Sequence, residues 1–115
     1  MRALLTSLLL TSPGVVLAAH PDCTGVERWP ASMAFVHLKN AGMTDNERLD
    51  VSKTRVARVA SEKIGKDLYR QVHKVRFTEK SGSTIDVITA SDGSSQECSI
   101  GGVEVYVIAR QLGPN

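Results

Sequence analysis

The stretch from Arg55 to Phe77 constrains the fold most, because alternating apolar and charged residues flank the sequence IGKD at its centre. This pattern is typical of two β-strands joined by a two-residue turn, with Gly65 at the first central position of a type II′ turn. Closing the hairpin there places Val56 opposite Val75. Because side chains alternate between the two faces of a sheet, this register separates most apolar side chains from most cations.

The predicted hairpin therefore has a basic face and an apolar face. The basic face contains Arg55, Lys63, Arg70, Lys74 and Arg76, with Ala57, Val59, Leu68 and Val72 between them. The apolar face contains Thr54, Val56, Ala60, Ile64, Tyr69, Val75 and Phe77, with Arg58, Glu62 and His73 at its margin. A helical interpretation of residues 55–64 stays open, because their apolar residues also match helical spacing.

A second turn extends this sheet. Residues 80–82 form a three-residue connection in which Gly82 supplies the left-handed conformation. The resulting register places Phe77 opposite Ile85 and Arg76 opposite Asp86. It thus pairs apolar residues on one face and puts an acid on the basic face.

The segments on either side complete the predicted fold. In WPASMAFVHLKNAG, Pro30 suits the first turn of a helix and Gly42 a left-handed cap, which predicts a largely buried helix of about three turns; a strand over residues 33–38 is the alternative. The segment MTDNERLDVSKT predicts a loop with at most one helical turn. Residues 103–109 predict a fourth strand that is partly covered on both sides. The sequence therefore predicts an α+β fold, with one N-terminal helix packed on a four-stranded antiparallel β-meander.

Residues 1–19, MRALLTSLLLTSPGVVLAA, are typical of a secretory signal peptide, with Arg2, an apolar run and a small-residue end. Cleavage after Ala18 and cleavage after Ala19 fit equally well. No other apolar stretch approaches the roughly 20 residues that a helix needs to cross a bilayer. We therefore expect an exported protein, periplasmic or secreted, with a single small domain at residues 20–115.

Cys23 and Cys98 are the two cysteines of the chain, one near each end of the predicted folded region. In an oxidising compartment they predict a disulfide, since the sequence offers neither metal ligands nor a catalytic base beside them. The bond would clamp the polar connection at residues 91–102, in which Ser94, Ser95 and Gln96 are candidate binding residues. A stapled connection without a binding role is the alternative.

Positive charge is concentrated in one region, with nine basic and three acidic residues between Lys53 and Lys80 in a chain of net charge +2. We expect no nucleic-acid ligand, because aromatic residues suited to base stacking are few. The sequence predicts no catalytic residues, no metal site and no cofactor. A small enzyme is a lesser alternative, and so is a copper site formed by His20 at a processed N terminus with His37 or His73.

The stretches ASEKIGKDLYRQVHKVRFTEKSG and QECSIGGVEVYVI resemble segments of small exported bacterial proteins of unknown function. The resemblance spans most of the predicted mature chain. It implies export but assigns no activity and no site residue.

We consider three functions for this chain. The first is an inhibitor-like or immunity-like binding module that blocks a protein partner through the basic face and the clamped loop. The second is adhesion to an anionic envelope surface by summed charge attraction. The third is a structural protein without a ligand, whose cations only keep the sheet edges soluble. Apolar residues between the cations favour the protein partner. The candidate binding residues are Arg55, Lys63, Leu68, Arg70, Val72, Lys74, Arg76, Ser94, Ser95 and Gln96.

Overall fold

The computed structural model of the chain describes residues 19–113, which contain one α-helix and a four-stranded antiparallel sheet with its strands in chain order. This arrangement confirms the predicted α+β fold and β-meander. The predicted signal peptide lies outside the described residues, except for Ala19. The elements are α1 (Trp29–Asn40), a 3-10 turn (Val51–Lys53), β1 (Arg55–Gly65), β2 (Leu68–Thr78), β3 (Thr84–Gly93) and β4 (Ile100–Gln111).

Helix α1 begins and ends where the sequence predicts, but it is not largely buried, because four of its twelve residues are buried. Pro30 lies in the first turn, where its missing N–H leaves no carbonyl unpaired, and Gly42 follows the helix with a φ of +75°. Both ends of this region are tied to β4, because Trp29 donates a hydrogen bond to the Gly101 carbonyl (3.0 Å) and Arg110 donates one to the Met43 carbonyl (3.4 Å). The strand alternative for this segment is therefore wrong.

One face of the sheet packs against α1, and we call it the covered face. Apolar side chains form a core between them, in which the ring of Phe77 in β2 lies 6.1 Å from that of Phe35 in α1. Burial of each large side chain there contributes roughly 1.5–3 kcal/mol. The buried members of the core are Ala31, Ala34, Leu38, Leu49, Val75, Phe77, Ile85 and Val87.

The opposite face of the sheet is the open face. In β2, the buried residues are those of the covered face, Tyr69, Gln71, His73, Val75 and Phe77. The open face carries the alternating residues of the same strand, which are exposed or half-buried: Leu68, Arg70, Val72, Lys74, Arg76 and Thr78. The predicted separation of apolar residues from cations therefore holds along β2.

Strand β1 follows the predicted pairing over its first half only. Val56 lies opposite Val75, as predicted, and β1 confirms the strand interpretation over the helical one. An irregularity at Val59 then shifts the pairing by one residue, so that Ala60 and not Val59 lies opposite Val72. A bulge inserts one unpaired residue into a strand and thereby exchanges the faces of all residues beyond it.

The bulge corrects three face assignments. Lys63 lies opposite Tyr69 and therefore on the covered side, whereas the prediction placed it on the basic face. Glu62 lies opposite Arg70 on the open face, and Ala60 also changes to the open face. A bulge cannot be read from a period-two pattern, because each half of the strand keeps the same alternation on its own.

The turn of the first hairpin also differs from the prediction. Gly65 lies opposite Leu68, so the turn consists of Lys66 and Asp67. The residue with positive φ is Asp67, at +51°, and Gly65 is not in the left-handed region. Aspartate is one of the few non-glycine residues that adopt this conformation readily.

The second hairpin is confirmed in full. Gly82 has a φ of +96°, and the register places Phe77 opposite Ile85 and Arg76 opposite Asp86. The pairing between β2 and β3 contains no irregularity over its whole length. A short turn with a glycine at the required position therefore fixed the longest regular pairing of the sheet.

The predicted disulfide between Cys23 and Cys98 is present, with a Cα–Cα distance of 5.7 Å. It joins the segment before α1 to the connection between β3 and β4. That connection is shorter than the predicted loop at residues 91–102, because β3 continues to Gly93 and β4 already begins at Ile100.

Strand β4 is longer and more exposed than predicted. It runs to Gln111, and Tyr106, Val107 and Ile108 are 54%, 43% and 52% exposed. The expectation that both of its sides are partly covered is wrong for these three residues. Since β4 is the last strand of the sheet, no described strand pairs with its outer edge.

Candidate functional site

The open face brings together all of the predicted binding residues of the sheet except Lys63. The strand registers align its side chains in four cross-strand rows, each from β1 to β4. The rows are Arg55, Arg76, Asp86 and Ala109; Ala57, Lys74, Ile88 and Tyr106; Ala60, Val72, Ala90 and Glu104; Glu62, Arg70, Asp92 and Ile100.

An ion pair fixes the first row. The guanidinium of Arg76 donates two hydrogen bonds to the carboxylate of Asp86, at 2.7 and 2.9 Å. These bonds hold the pKa of Asp86 below its usual range, against the opposing effect of its partial burial. The predicted pairing of an acid with this cation is confirmed, and the bidentate geometry orients both side chains across the two central strands.

A second ion pair closes the opposite end of the face. Arg70 donates to both carboxylate oxygens of Asp92, at 3.0 and 3.4 Å, and lies next to Glu62 on its other side. Arg70 is more exposed than Asp92, so this pair adds little to stability and mainly orients the two groups.

The open face as a whole is electrically balanced. Its four cations are matched by four carboxylates, and the predicted basic face therefore has no net charge. Three of those carboxylates, Asp86 and Asp92 in β3 and Glu104 in β4, lie outside the first hairpin, and of these the sequence predicted Asp86 alone on this face. The eight charged residues are Arg55, Arg70, Lys74 and Arg76 with Glu62, Asp86, Asp92 and Glu104.

Apolar side chains occupy the middle of the open face. Val72, Ile88 and Ala90 are half-buried among their charged neighbours, and Tyr106 is more exposed, at 54%. Leu68, also half-buried, lies near one end of this stripe. Sequence reasoning identified Leu68 and Val72 but missed the others, although the alternation in β3 and β4 would have identified them once the registers were known.

Two shallow grooves interrupt the face. One, of about 280 Å³, lies where small Ala57 is opposite Lys74, and the cations Arg55 and Arg76 complete its rim. Arg55 and Arg76 are themselves directly opposite each other, an arrangement that costs stability because the charges are alike. Arg55 donates hydrogen bonds to the carbonyls of Ser52 and Thr54.

The second groove, of about 330 Å³, lies where the pairing between β3 and β4 is irregular. Arg70 and Asp92 line one side of it, and Gly101, Gly102 and Glu104 line the other. The polar rim and the exposed glycine backbone offer hydrogen-bonding groups at the end of the face next to the clamped loop.

The clamped loop, residues 94–99, is held in one conformation by its own serines. Ser95 donates hydrogen bonds from its backbone N–H (3.0 Å) and its hydroxyl (2.8 Å) to Asp67 in the first hairpin turn, and these bonds lower the pKa of Asp67. The hydroxyl of Ser94 accepts hydrogen bonds from the N–H groups of Gln96 and Glu97. Of the three candidate binding residues in the loop, Gln96 alone has an exposed side chain that takes no part in these bonds within residues 19–113.

The N-terminal segment covers the end of the covered face that α1 does not reach. The Pro21 carbonyl accepts hydrogen bonds from Gln71 (2.9 Å) and Arg58 (3.1 Å). His20 packs on Tyr69, with ring centroids 4.7 Å apart, and its Nδ1 is hydrogen-bonded to Ser61. This segment thus forms part of the domain.

The other two histidines lie in different settings. His73 is fully buried, and burial lowers its pKa, with the positive charge of Arg58 acting in the same direction. His37 is exposed on α1. Within residues 19–113, no group of three or more His, Cys, Asp or Glu side chains is placed to hold a metal ion.

In the described part of the chain, α1 is too short to traverse a lipid bilayer. The chain matches no protein-family model, no curated protein and no solved structure.

Proposed function

We propose that this protein is an exported binding module that blocks or neutralises a protein partner, which it contacts through the open face and the adjoining clamped loop. The observation that carries this proposal is the composition of the open face. Half-buried apolar residues lie in its middle, and two oriented Arg–Asp pairs frame them. Protein interfaces combine an apolar centre with a polar rim and are enriched in arginine; on this face Lys74, opposite Ile88, adds one charge near the centre.

The balance of charge separates this proposal from adhesion to an anionic envelope surface. Such adhesion relies on an excess of cations whose attraction adds up and falls with salt. On the open face, Arg70 and Arg76 are already engaged by Asp92 and Asp86, and Glu62 and Glu104 offset the remaining cations. A partner that carries both signs of charge fits this surface better.

The rigidity of the clamped loop supports the same proposal. The Cys23–Cys98 bond and the contacts of Ser95 with Asp67 hold the loop against the first hairpin turn. A loop that is ordered before binding loses less conformational entropy when a partner docks. Gln96 is the side chain that it presents to a partner.

The test begins with a crosslinking pull-down from the envelope fraction of the native host, followed by affinity measurements on the purified partner. Val72→Glu places a charge in the middle of the open face and is expected to weaken binding by roughly a hundredfold, as for a central interface residue. Val51→Glu is the matched control, since Val51 is 57% exposed in the 3-10 turn, away from this face.

Circular dichroism and a retained disulfide establish that both variants fold. Equal binding by wild type, Val72→Glu and Val51→Glu would refute the open face as the binding surface. Failure to recover any partner from the envelope or from secreted fractions would favour a structural protein without a ligand.

A further inference from the structure

The two edges of the sheet are protected very differently. The β1 edge carries four charged residues and two register irregularities, and Arg58 is hydrogen-bonded to the N-terminal segment at Pro21. These are the usual means by which proteins prevent an edge strand from pairing with another chain. The charged residues are Arg55, Arg58, Glu62 and Lys63.

The β4 edge also has two register irregularities, and it carries two charged residues, Glu104 and Arg110, but its middle is regular and mostly apolar. Between Val103 and Ala109 the strand has a single charge, at Glu104, and three consecutive apolar residues are about half exposed. Its pairing with β3 is regular from Glu104 to Val107, with irregularities only outside this segment. A regular, apolar edge with unpaired backbone groups is a template for the addition of another strand.

We propose that the β4 edge is a homodimer interface, at which β4 pairs antiparallel with β4 of a second copy about a two-fold axis at Val105. In such a pairing, directly opposite residues must lie on the same face of the joined sheet. Any axis that passes through a residue satisfies this condition, so the side chains that come opposite each other decide between the possible centres, and we place the centre at Val105. It places Val103 opposite the other copy's Val107, and Glu104 opposite its Tyr106.

Charge and polarity favour this register for a second copy. Each Glu104 lies opposite a tyrosine, whose ring covers the methylene groups of the glutamate and whose hydroxyl is a hydrogen-bond donor. A centre at Glu104 would instead place two carboxylates directly opposite each other, which is unfavourable. The valines at 103, 105 and 107 then form one continuous row on the covered side of an eight-stranded sheet.

This interface is separate from the proposed function. Pairing at the edge leaves the middle of the open face accessible, because Val72 and Ile88 lie on the central strands β2 and β3. Two open faces would become neighbours in one continuous sheet. A partner with repeated or symmetric sites would then bind both of them.

The test is the oligomeric state of the oxidised mature protein, measured by light scattering from micromolar to millimolar concentration. The wild type is expected to form a dimer whose proportion rises with concentration. Val107→Lys is expected to raise the dissociation constant by roughly tenfold or more, because it places a charged side chain opposite the apolar Val103 of the second copy. Val59→Lys changes the same residue type at the β1 edge, where Val59 is 60% exposed, and is expected to leave the dissociation constant unchanged.

Ile108→Lys provides a second variant in case Val107→Lys fails to fold, since Ile108 is 52% exposed. Hydrogen exchange should show concentration-dependent protection of β4 amides and none in β1. A wild type that stays monomeric at millimolar concentration overturns the proposal. A dimer that is weakened by Val59→Lys or Val72→Glu, but by neither β4 variant, also overturns it. The same holds if the β4 amides are protected only after a different protein is added.

Discussion

The two faces of the sheet differ in whether their polar side chains have hydrogen-bond partners. On the covered face, His73 and Thr89 are fully buried, and neither the ring nitrogens nor the hydroxyl has a hydrogen-bond partner among the described residues. On the open face, Arg70 and Arg76 are exposed but held by carboxylates. Burial of the unpaired groups of His73 and Thr89 has a free-energy cost that apolar burial must offset. The Arg–Asp pairs of the open face cost little and orient their charged groups. Because the apolar core also lies on the covered face, we expect stability to depend mainly on that face, which leaves the open face available for recognition.

The largest expected effect is that of Phe77→Ala on the covered face. Phe77 is 2% exposed in the core beside α1, so its truncation should lower the free energy of unfolding by about 3–5 kcal/mol. Val72→Ala on the same strand faces the open side and should cost less than about 1.5 kcal/mol. Urea unfolding of both variants measures the difference. Similar losses in the two variants would contradict the division of roles between the faces.

Loss of the disulfide should have the next largest effect. Reduction of the Cys23–Cys98 bond releases the N-terminal segment from the β3–β4 connection and should lower the free energy of unfolding by about 2–4 kcal/mol. Thermal unfolding with and without reductant measures this change. A Cys23→Ala and Cys98→Ala double variant that receives the same reductant is the control, and it should show no further shift. An unchanged melting temperature on reduction would show that this end of the domain is held by its hydrogen bonds alone.

The buried histidine should make stability depend on pH. Burial lowers the pKa of His73 below its ordinary value of 6.5, so below pH 6.5 the unfolded chain binds a proton that the folded chain does not. The contribution of His73 to the free energy of unfolding should therefore be constant above pH 6.5. Below pH 6.5 this contribution should decrease as the pH decreases. For one proton, the free energy of unfolding changes by at most about 1.4 kcal/mol per pH unit.

Urea unfolding between pH 8 and pH 5 tests this expectation. His73→Leu should remove the dependence in this range, whereas His37→Leu, at an exposed position on α1, should retain it. The lowered pKa of Asp86 has its effect at a lower pH, because its ordinary value is 3.8. A wild-type stability that does not change between pH 6.5 and pH 5 would contradict the account of His73.

The smallest effects should come from charge reversal on the open face, and they should differ in sign. Arg55 is directly opposite Arg76, so Arg55→Glu replaces a repulsive pair by an attractive one. This gain exceeds the loss of the hydrogen bonds of the exposed Arg55 to the Ser52 and Thr54 carbonyls, and the reversal should stabilise the fold by up to about 0.5 kcal/mol. Arg70→Glu puts a third acid between Glu62 and Asp92 and should destabilise it by about 0.5–1 kcal/mol. Both differences should shrink when the unfolding curves are repeated at high salt. Equal effects of the two reversals would mean that the charges on this face do not interact as the registers imply.

Much of the fold could be predicted because short turns transmit register along the chain. The three-residue turn with Gly82 fixed the whole pairing of β2 with β3, including the contact of Arg76 with Asp86. Helix α1 was recognisable from Pro30 and Gly42 at its ends. In each case, the information lies within a few neighbouring residues.

The open face could not be predicted in full, because it depends on contacts between distant segments. The bulge at Val59 moves Lys63 off the face and brings Glu62 onto it, and no local pattern indicates a bulge at that position. Strand β4 follows a connection too long to set a register, so the contributions of Glu104 and Tyr106 were missed. The hairpin considered alone therefore predicted a basic surface, whereas the complete sheet forms a balanced one.

A nuclear magnetic resonance titration of the isotope-labelled protein with its isolated partner shows directly whether the open face is the binding surface. We expect chemical-shift changes and slowed amide hydrogen exchange to concentrate on the open-face residues of β2 and β3, around Val72 and Ile88, and on the clamped loop at Gln96. We also expect the affinity to fall only weakly with added salt, since the face has no net charge. Changes confined to Arg55 and Lys74 with a steep loss of affinity in salt, or changes confined to α1, would contradict the proposed function.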